Sequence, residues 1–136
     1  MSILATLSQG LPILFGQLAA TLGLLGIGIA CYITLTPWNE RQLVRDGNVA
    51  AGIVVSGTLV ALAIPLAANL ASSVLILDIV VWGLVALVIQ LLTFYAATAL
   101  IRGLRDMIEA GNVAAALVLI GIQVAVALLN AGAVSG

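Results

Sequence analysis

Long apolar runs alternate with short polar segments along the chain. Four runs, at about residues 11–36, 49–70, 74–101 and 113–133, reach the roughly 20 residues that a membrane-spanning helix needs. In lipid, only helices and closed barrels pair all of their backbone groups, and continuous apolar runs disfavour a barrel. The pattern therefore predicts a single all-α membrane domain, residues 1–136, with four transmembrane helices.

The composition strengthens this prediction. Of the 136 residues, 64% are hydrophobic and 7% are charged, whereas about 25% are charged in a typical soluble domain. A net charge of −1 provides no basic field that would attract nucleic acid. The chain has no His and one Cys, Cys31, which excludes a disulfide within the chain and a Cys/His metal site. We expect the lipid bilayer as the main partner, and neither a cofactor nor a metal.

The charged residues predict the orientation. Eight of the nine lie in the two segments that join span one to span two and span three to span four. All four arginines are among them, namely Arg41, Arg45, Arg102 and Arg105. The positive-inside rule then places both segments in the cytoplasm and both chain termini outside.

The two charged segments are predicted to be short interfacial helices, at about residues 37–46 and 102–110. Thr36 followed by Pro37 is typical of a helix N-cap and a first helical residue. Trp38 is expected at the level of the lipid headgroups, and Glu40 is expected to stay in water.

The sequence Gly-Asn-Val-Ala-Ala occurs twice, at Gly47–Ala51 and at Gly111–Ala115, with an offset of 64 residues. A fixed period predicts a duplicated two-span unit, at about residues 10–70 and 74–134. Both units would enter the membrane with the same polarity. We therefore predict a four-helix bundle of two parallel-repeat hairpins, related by a pseudo-two-fold axis along the membrane normal.

The repeated motif has a local structural explanation. Gly47 and Gly111 permit the left-handed turn that ends a helix, and Asn48 and Asn112 can cap the span that follows. These four residues are predicted to be structural junctions, with no ligand required.

Small residues recur four positions apart, as in Gly52/Ser56, Gly57/Ala61 and Gly121/Ala125. Such spacing lets helix backbones approach closely in a membrane. The stripes fit either packing within one bundle or the interface of a homo-oligomer.

Asp78 is the one charged residue outside the two charged segments, near the outer end of span three. An ionisable group inside a membrane points to function, but at the outer interface the same residue needs no special role. Pro65, which is expected to kink span two, and Asn69 lie on the same side. Together with Ser72 and Ser73, these residues form our preferred candidate site.

Four further polar residues lie deeper in the predicted spans. Ser56 and Thr58 are central in span two, and Gln90 and Gln123 are central in spans three and four. Either they hydrogen-bond the helices to one another, or they line a polar path.

Several segments together resemble the domain-of-unknown-function 350 family of small bacterial inner-membrane proteins. They are Thr36-Pro37-Trp38-Asn39-Glu40, Gly47-Asn48, Ser56-Gly57-Thr58-Leu59, Ile64-Pro65-Leu66, Asp78 with Trp82-Gly83, and Val88-Ile89-Gln90-Leu91-Leu92. The resemblance implies four spans in a bacterial inner membrane and a duplicated unit, but no activity. Some relatives are encoded near membrane-stress or polyamine-related proteins, which is an association only.

Two hypotheses for function follow. The first is an oligomeric structural or partner-binding membrane protein that presents its charged segments to a cytoplasmic protein. The contact residues would be Trp38, Glu40, Arg41, Arg45, Arg102 and Arg105. The second is a small ion or solute channel or transporter, with Asp78 and the mid-membrane Gln, Ser and Thr residues along its path. No nucleophile–base pair or phosphate-binding loop suggests an enzyme.

Overall fold

The computed structural model describes residues 2–135, which form six helices and no strand in that range. The helices are α1 (Ile3–Leu35), α2 (Glu40–Arg45), α3 (Val49–Ser72), α4 (Ile76–Leu100), α5 (Leu104–Glu109) and α6 (Val113–Ser135). Four of them, α1, α3, α4 and α6, are long and apolar enough to cross a membrane. The prediction of an all-α membrane protein with four transmembrane helices is confirmed.

Helix α1 begins earlier than the apolar pattern suggested. Its first residue is Ile3, and the Ser2 hydroxyl caps it by accepting a hydrogen bond from the Ala5 N–H at 3.2 Å. Its 33 residues exceed the roughly 20 that cross the hydrocarbon core. The first turns therefore extend beyond the contacts with other helices, and Ile3 and Leu4 are exposed there.

The four long helices form a ring in the order α1, α3, α6, α4. The pair α3 and α6 is packed most extensively, and α3 also reaches α4 across the ring, whereas α1 and α6 barely touch. A two-fold axis along the membrane normal would make the α1–α6 contact equivalent to the α3–α4 contact. The two-fold relation therefore stays a prediction, which this packing does not support.

The offset of 64 residues reappears in the helix boundaries. Helices α2 and α5 begin at residues 40 and 104, and α3 and α6 begin at residues 49 and 113. The duplication itself also remains a prediction, and the boundaries are consistent with it.

Both short helices lie at one end of the bundle, which we call the charged end. Each stops at a glycine with positive φ, +83° at Gly47 and +81° at Gly111. The next residue in each case, Asn48 or Asn112, donates its backbone N–H to the carbonyl five residues earlier, at 2.9 and 2.8 Å. Their side-chain oxygens accept from Ala51 N–H at 3.0 Å and Ala115 N–H at 3.1 Å. One dipeptide thus ends a short helix and caps the long one after it.

The start of α2 differs from the prediction. Asn39 caps it by accepting from the Gln42 N–H at 3.2 Å, whereas Thr36 ends α1 in an extended conformation. The predicted N-cap at Thr36 is wrong, because α2 begins only after Asn39. Pro37 favours an extended conformation at the residue before it, and this conformation at Thr36 ends α1. The chain needs residues 36–39 to turn from α1 into α2.

Candidate functional site

A buried polar cluster lies at the charged end, and we call it the Glu40 cluster. Its members are Tyr32, Trp38, Glu40 and Thr58, each at most 4% exposed. The sequence prediction left Trp38 among the headgroups and Glu40 in water. The expectation for Glu40 is wrong, and Trp38 is buried as well, because α2 folds back against α3 and its first turn faces the bundle. The depth of Trp38 relative to the headgroups stays a prediction. The Trp38 ring packs against Phe94, with ring centroids 6.2 Å apart.

The hydrogen bonding of this cluster is incomplete. The Trp38 indole Nε1 donates to Glu40 Oε1 at 3.0 Å. Glu40 Oε2, the Tyr32 hydroxyl and the Thr58 hydroxyl are buried and have no hydrogen-bond partner among the described residues. Burial raises the pKa of Glu40, and the nearby Tyr32 hydroxyl and Trp38 indole oppose this shift by favouring the carboxylate. The site is thus a buried carboxyl group with one oxygen bonded to Trp38 and with the Tyr32 hydroxyl nearby.

A surface groove of about 460 Å³ lies beside Glu40. It is lined by Ile33, Glu40, Arg41, Val44, Arg45 and Val55. Arg41 and Arg45 are exposed, and neither forms an ion pair with an acidic side chain of residues 2–135. Glu40 is thus buried but adjoins an open groove.

A second polar group links α4 and α6 at mid-bundle. Gln90 Nε2 donates to the Gln123 carbonyl at 3.3 Å, and Asn130 Nδ2 donates to Gln90 Oε1 at 3.3 Å and to the Ala86 carbonyl at 3.2 Å. Gln123 Nε2 is buried without a partner among the described residues. The structure therefore brings Gln90 and Gln123 together, and it adds Asn130.

The two central polar residues of α3 lie in different environments. Thr58 is buried in the Glu40 cluster, whereas Ser56 is exposed on the outside of the bundle, where its hydroxyl donates to the Gly52 carbonyl at 2.8 Å. Ser56 therefore does not line the interior of a single bundle.

At the opposite end, the preferred candidate residues largely share one open groove of about 760 Å³, which we call the Asp78 groove. Its polar lining is Asn69, Ser72, Ser73, Asp78, Asn130 and Ser135. Asp78 is exposed, in the first turn of α4. Asn69 is buried and ties the two helices together, because its Nδ2 donates to the Ile79 carbonyl at 2.9 Å and its Oδ1 accepts from the Ser73 hydroxyl at 3.0 Å. Pro65 is buried within α3 and is not part of the groove.

The junction residues are not equivalent in their contacts. Asn48 Nδ2 donates to the carbonyls of Ile108 at 2.8 Å and Glu109 at 3.3 Å. Asn48 therefore fastens the start of α3 to the end of α5, in addition to capping its own helix. All four arginines are exposed, and Arg105 pairs with Glu109 at 3.0 Å.

With this geometry in place, comparison with known proteins identifies the family. The family described as Domain of Unknown Function (DUF350) matches residues 6–134. The chain belongs to this DUF350 family. Two similar relatives are the "UPF0719 inner membrane protein YjfL" of Escherichia coli strain K12 and its counterpart in Escherichia coli O157:H7. Each is 42% identical over 84 residues, which is 62% of this chain and 64% of the relative. No solved structure matches.

The match thus spans a little under two thirds of the curated relatives. Among residues 2–135 of this DUF350 protein, no group of three or more His, Cys, Asp or Glu residues could hold a metal ion. Two buried polar residues of these clusters, Tyr32 and Asn130, are not apparent from the sequence pattern. Tyr32 was hidden in an apolar run, and Asn130 lies one turn from the end of the predicted fourth span, where an amide is unremarkable.

Proposed function

We propose that this DUF350 protein is an oligomeric structural or partner-binding protein of a bacterial inner membrane, with its charged end in the cytoplasm. The observation that carries the proposal is the exposure of all four arginines at one end of an otherwise apolar bundle. These guanidinium groups are mostly unpaired, and they lie beside the exposed carboxylates of Asp46, Asp106 and Glu109. Such a surface suits a protein partner with acidic patches of complementary arrangement. The relatives' printed description as inner membrane proteins supports the location.

The oligomer is supported by small residues that the bundle leaves uncovered. A side chain added at Gly57 would collide with Ile120, so this glycine is used inside the bundle. One added at Gly52 or Gly121 would meet nothing within 4 Å. Gly52 also lines an open, mainly apolar groove of about 560 Å³ between α3 and α6. A second copy of the chain could approach closely there.

Gly52→Leu tests the oligomer, with Gly23→Leu on α1 as the matched control, because nothing lies within 4 Å of either position. Gly23→Leu particles should match the wild type in size. Because Gly52 faces open space, the variant should keep its helical circular dichroism but dissociate in nanodiscs, as measured by mass photometry or crosslinking. Wild-type and Gly52→Leu particles of the same size would refute an interface on this face.

Affinity purification from native membranes tests the partner. We expect one acidic protein to be recovered with the wild type and lost when Arg41 and Arg45 are changed to Gln. The matched control is Gln17→Ala near the opposite end. Equal recovery with all three proteins, or recovery of none, would contradict a partner at the charged end.

A channel or transporter is the second candidate, and a specific observation favours it. Asn130 lines the Asp78 groove and is hydrogen-bonded to Gln90, which in turn bonds to Gln123. Polar groups therefore lead from the groove to mid-bundle. Cation flux into liposomes that falls in Asp78→Asn, but not in Ser135→Ala at the same groove, would support this function. An absence of flux above empty liposomes would reject it.

A further inference from the structure

The Glu40 cluster places a carboxyl group where packing alone does not need one. At the offset of the repeated motif, Glu40 corresponds to Leu104, and each is the first residue of its short helix. The two are buried to the same extent, at 4% and 3% exposed. An apolar side chain thus fills the corresponding position in the second half of the chain. At residue 40 a polar carboxyl group is buried instead, which costs free energy.

The neighbours of Glu40 offer hydrogen bonds but no positive charge inside the bundle. Tyr32 comes from α1, Trp38 precedes α2, and Thr58 comes from α3, which carries no ionisable side chain. On α2 itself, Arg41, Arg45 and Asp46 are exposed. A buried carboxylate without a cationic partner is unstable unless it binds a cation or a proton.

We propose that Glu40 is a proton-binding site, whose proton reaches Oε2 through the groove beside Arg41 and Arg45. Three features support a proton as the ligand. Glu40 Oε2 has no hydrogen-bond partner among the described residues, the Tyr32 hydroxyl lies near the carboxyl group and can donate or accept a hydrogen bond, and a groove that Glu40 helps to line opens beside Arg41 and Arg45. Burial favours the neutral acid in addition. Uptake of the proton converts Glu40 Oε2 into an O–H donor toward Tyr32 and weakens the charge-assisted bond from Trp38.

The Trp38 indole is a direct reporter of this site. In protein labelled with ¹⁵N at its tryptophan indoles and placed in nanodiscs, Trp38 and Trp82 give two separate N–H resonances. Trp82 is exposed in the Asp78 groove and serves as an internal control. We expect the Trp38 resonance to shift in a single proton transition with a midpoint above 4.5, the ordinary value for Glu, while Trp82 does not follow it. A Trp38 resonance that stays unchanged from acid to alkaline pH would overturn the proposal.

Variants assign the transition to Glu40 and its neighbours. Glu40→Gln and Glu40→Leu should both abolish it, and the Leu variant copies the side chain found at residue 104. Tyr32→Phe should raise the midpoint, because the Tyr32 hydroxyl favours the carboxylate. The matched control is Tyr95→Phe, at an exposed tyrosine of α4, and its midpoint should equal that of the wild type. A transition that persists without Glu40, or equal midpoints in the two Phe variants, would contradict the assignment.

A sodium series separates the proton from a metal cation. Titrations in sodium and in N-methylglucamine buffers should give the same midpoint. A midpoint that falls steadily as sodium rises would mean that Na⁺ competes for the carboxylate, and the proposal of a site for protons alone would be wrong.

Discussion

The contact between Gly57 and Ile120 offers the sharpest test of the packing. A Cβ at residue 57 would lie 2.5 Å from Ile120 Cδ1 and Cγ2 and 2.6 Å from Cγ1, where ordinary contact begins at 3.4 Å. Three atoms of one β-branched side chain are involved, so a single rotamer change does not clear the space. To restore contact distance, α3 and α6 must separate by about 0.9 Å (3.4 − 2.5). A gap of roughly 0.5–1 Å forfeits a quarter to a half of each dispersion contact it opens.

Gly57→Ala should therefore lower the free energy of unfolding by about 1–3 kcal/mol, the usual cost of overpacking. The assay is unfolding of the purified protein by SDS in mixed micelles, followed by circular dichroism. The matched control is Gly52→Ala on the same helix, where nothing lies within 4 Å, and it should raise stability by up to about 1 kcal/mol, because Ala favours a helix over Gly.

A double variant tests whether the loss of stability comes from the contact with Ile120. Shortening Ile120 to Ala should recover part of the loss in Gly57→Ala, so the two changes should be non-additive. If Gly57→Ala were as stable as Gly52→Ala, or if the double variant lost the sum of the two single costs, the close approach of α3 and α6 at this point would be refuted.

Three further predictions use the same unfolding assay. Asn48→Ala should cost about 1–2.5 kcal/mol and Asn112→Ala about 1 kcal/mol, because both lose a helix cap but only Asn48 also loses its bonds to α5. Equal costs would show that the bridge to α5 contributes nothing. Asn130→Leu should cost about 1 kcal/mol, from two hydrogen bonds of roughly 0.6 kcal/mol each in a membrane, and a loss of several kcal/mol would contradict this. Because the pKa of Glu40 is raised in the folded protein, its contribution to stability is fully present below the ordinary pKa of Glu and is lost as pH rises through the folded pKa. Glu40→Gln should remove this dependence of the unfolding free energy on pH. A wild type that becomes more stable as pH rises would contradict a raised pKa at Glu40.

Features that depend on local chemistry could be predicted from the sequence. The length of the apolar runs predicts four spanning helices, because in lipid a single segment can pair all of its backbone groups only as a helix. The Gly-Asn pairs predict a left-handed turn and a cap, because both roles depend on residues within one helical turn. Even so, Thr36 was wrongly chosen as a cap over Asn39, three residues later, since two capping residues in one segment compete.

Features that depend on tertiary contact could not be predicted. The segment around Glu40 has the composition of an interfacial helix, and its burial depends on Tyr32 and Thr58, which belong to two other helices. Which small residues pack inside the bundle could not be predicted either. Gly52 and Gly57 share one helix and similar neighbours in sequence, yet one faces open space and the other faces Ile120. Only the packing of α6 distinguishes them.

The bridge from Asn48 also bears on how a partner would meet the charged end. Its amide holds α5 against the junction between α2 and α3. The arginines of α2 and those around α5 come from the two halves of the chain, which the α3–α6 packing already joins, and the bridge adds a direct link between the two short segments that carry them. With it, Arg41 and Arg105 are parts of one fixed surface. A partner that binds this surface would therefore contact both halves at once, and its affinity should fall in Asn48→Ala even though Asn48 carries no charge.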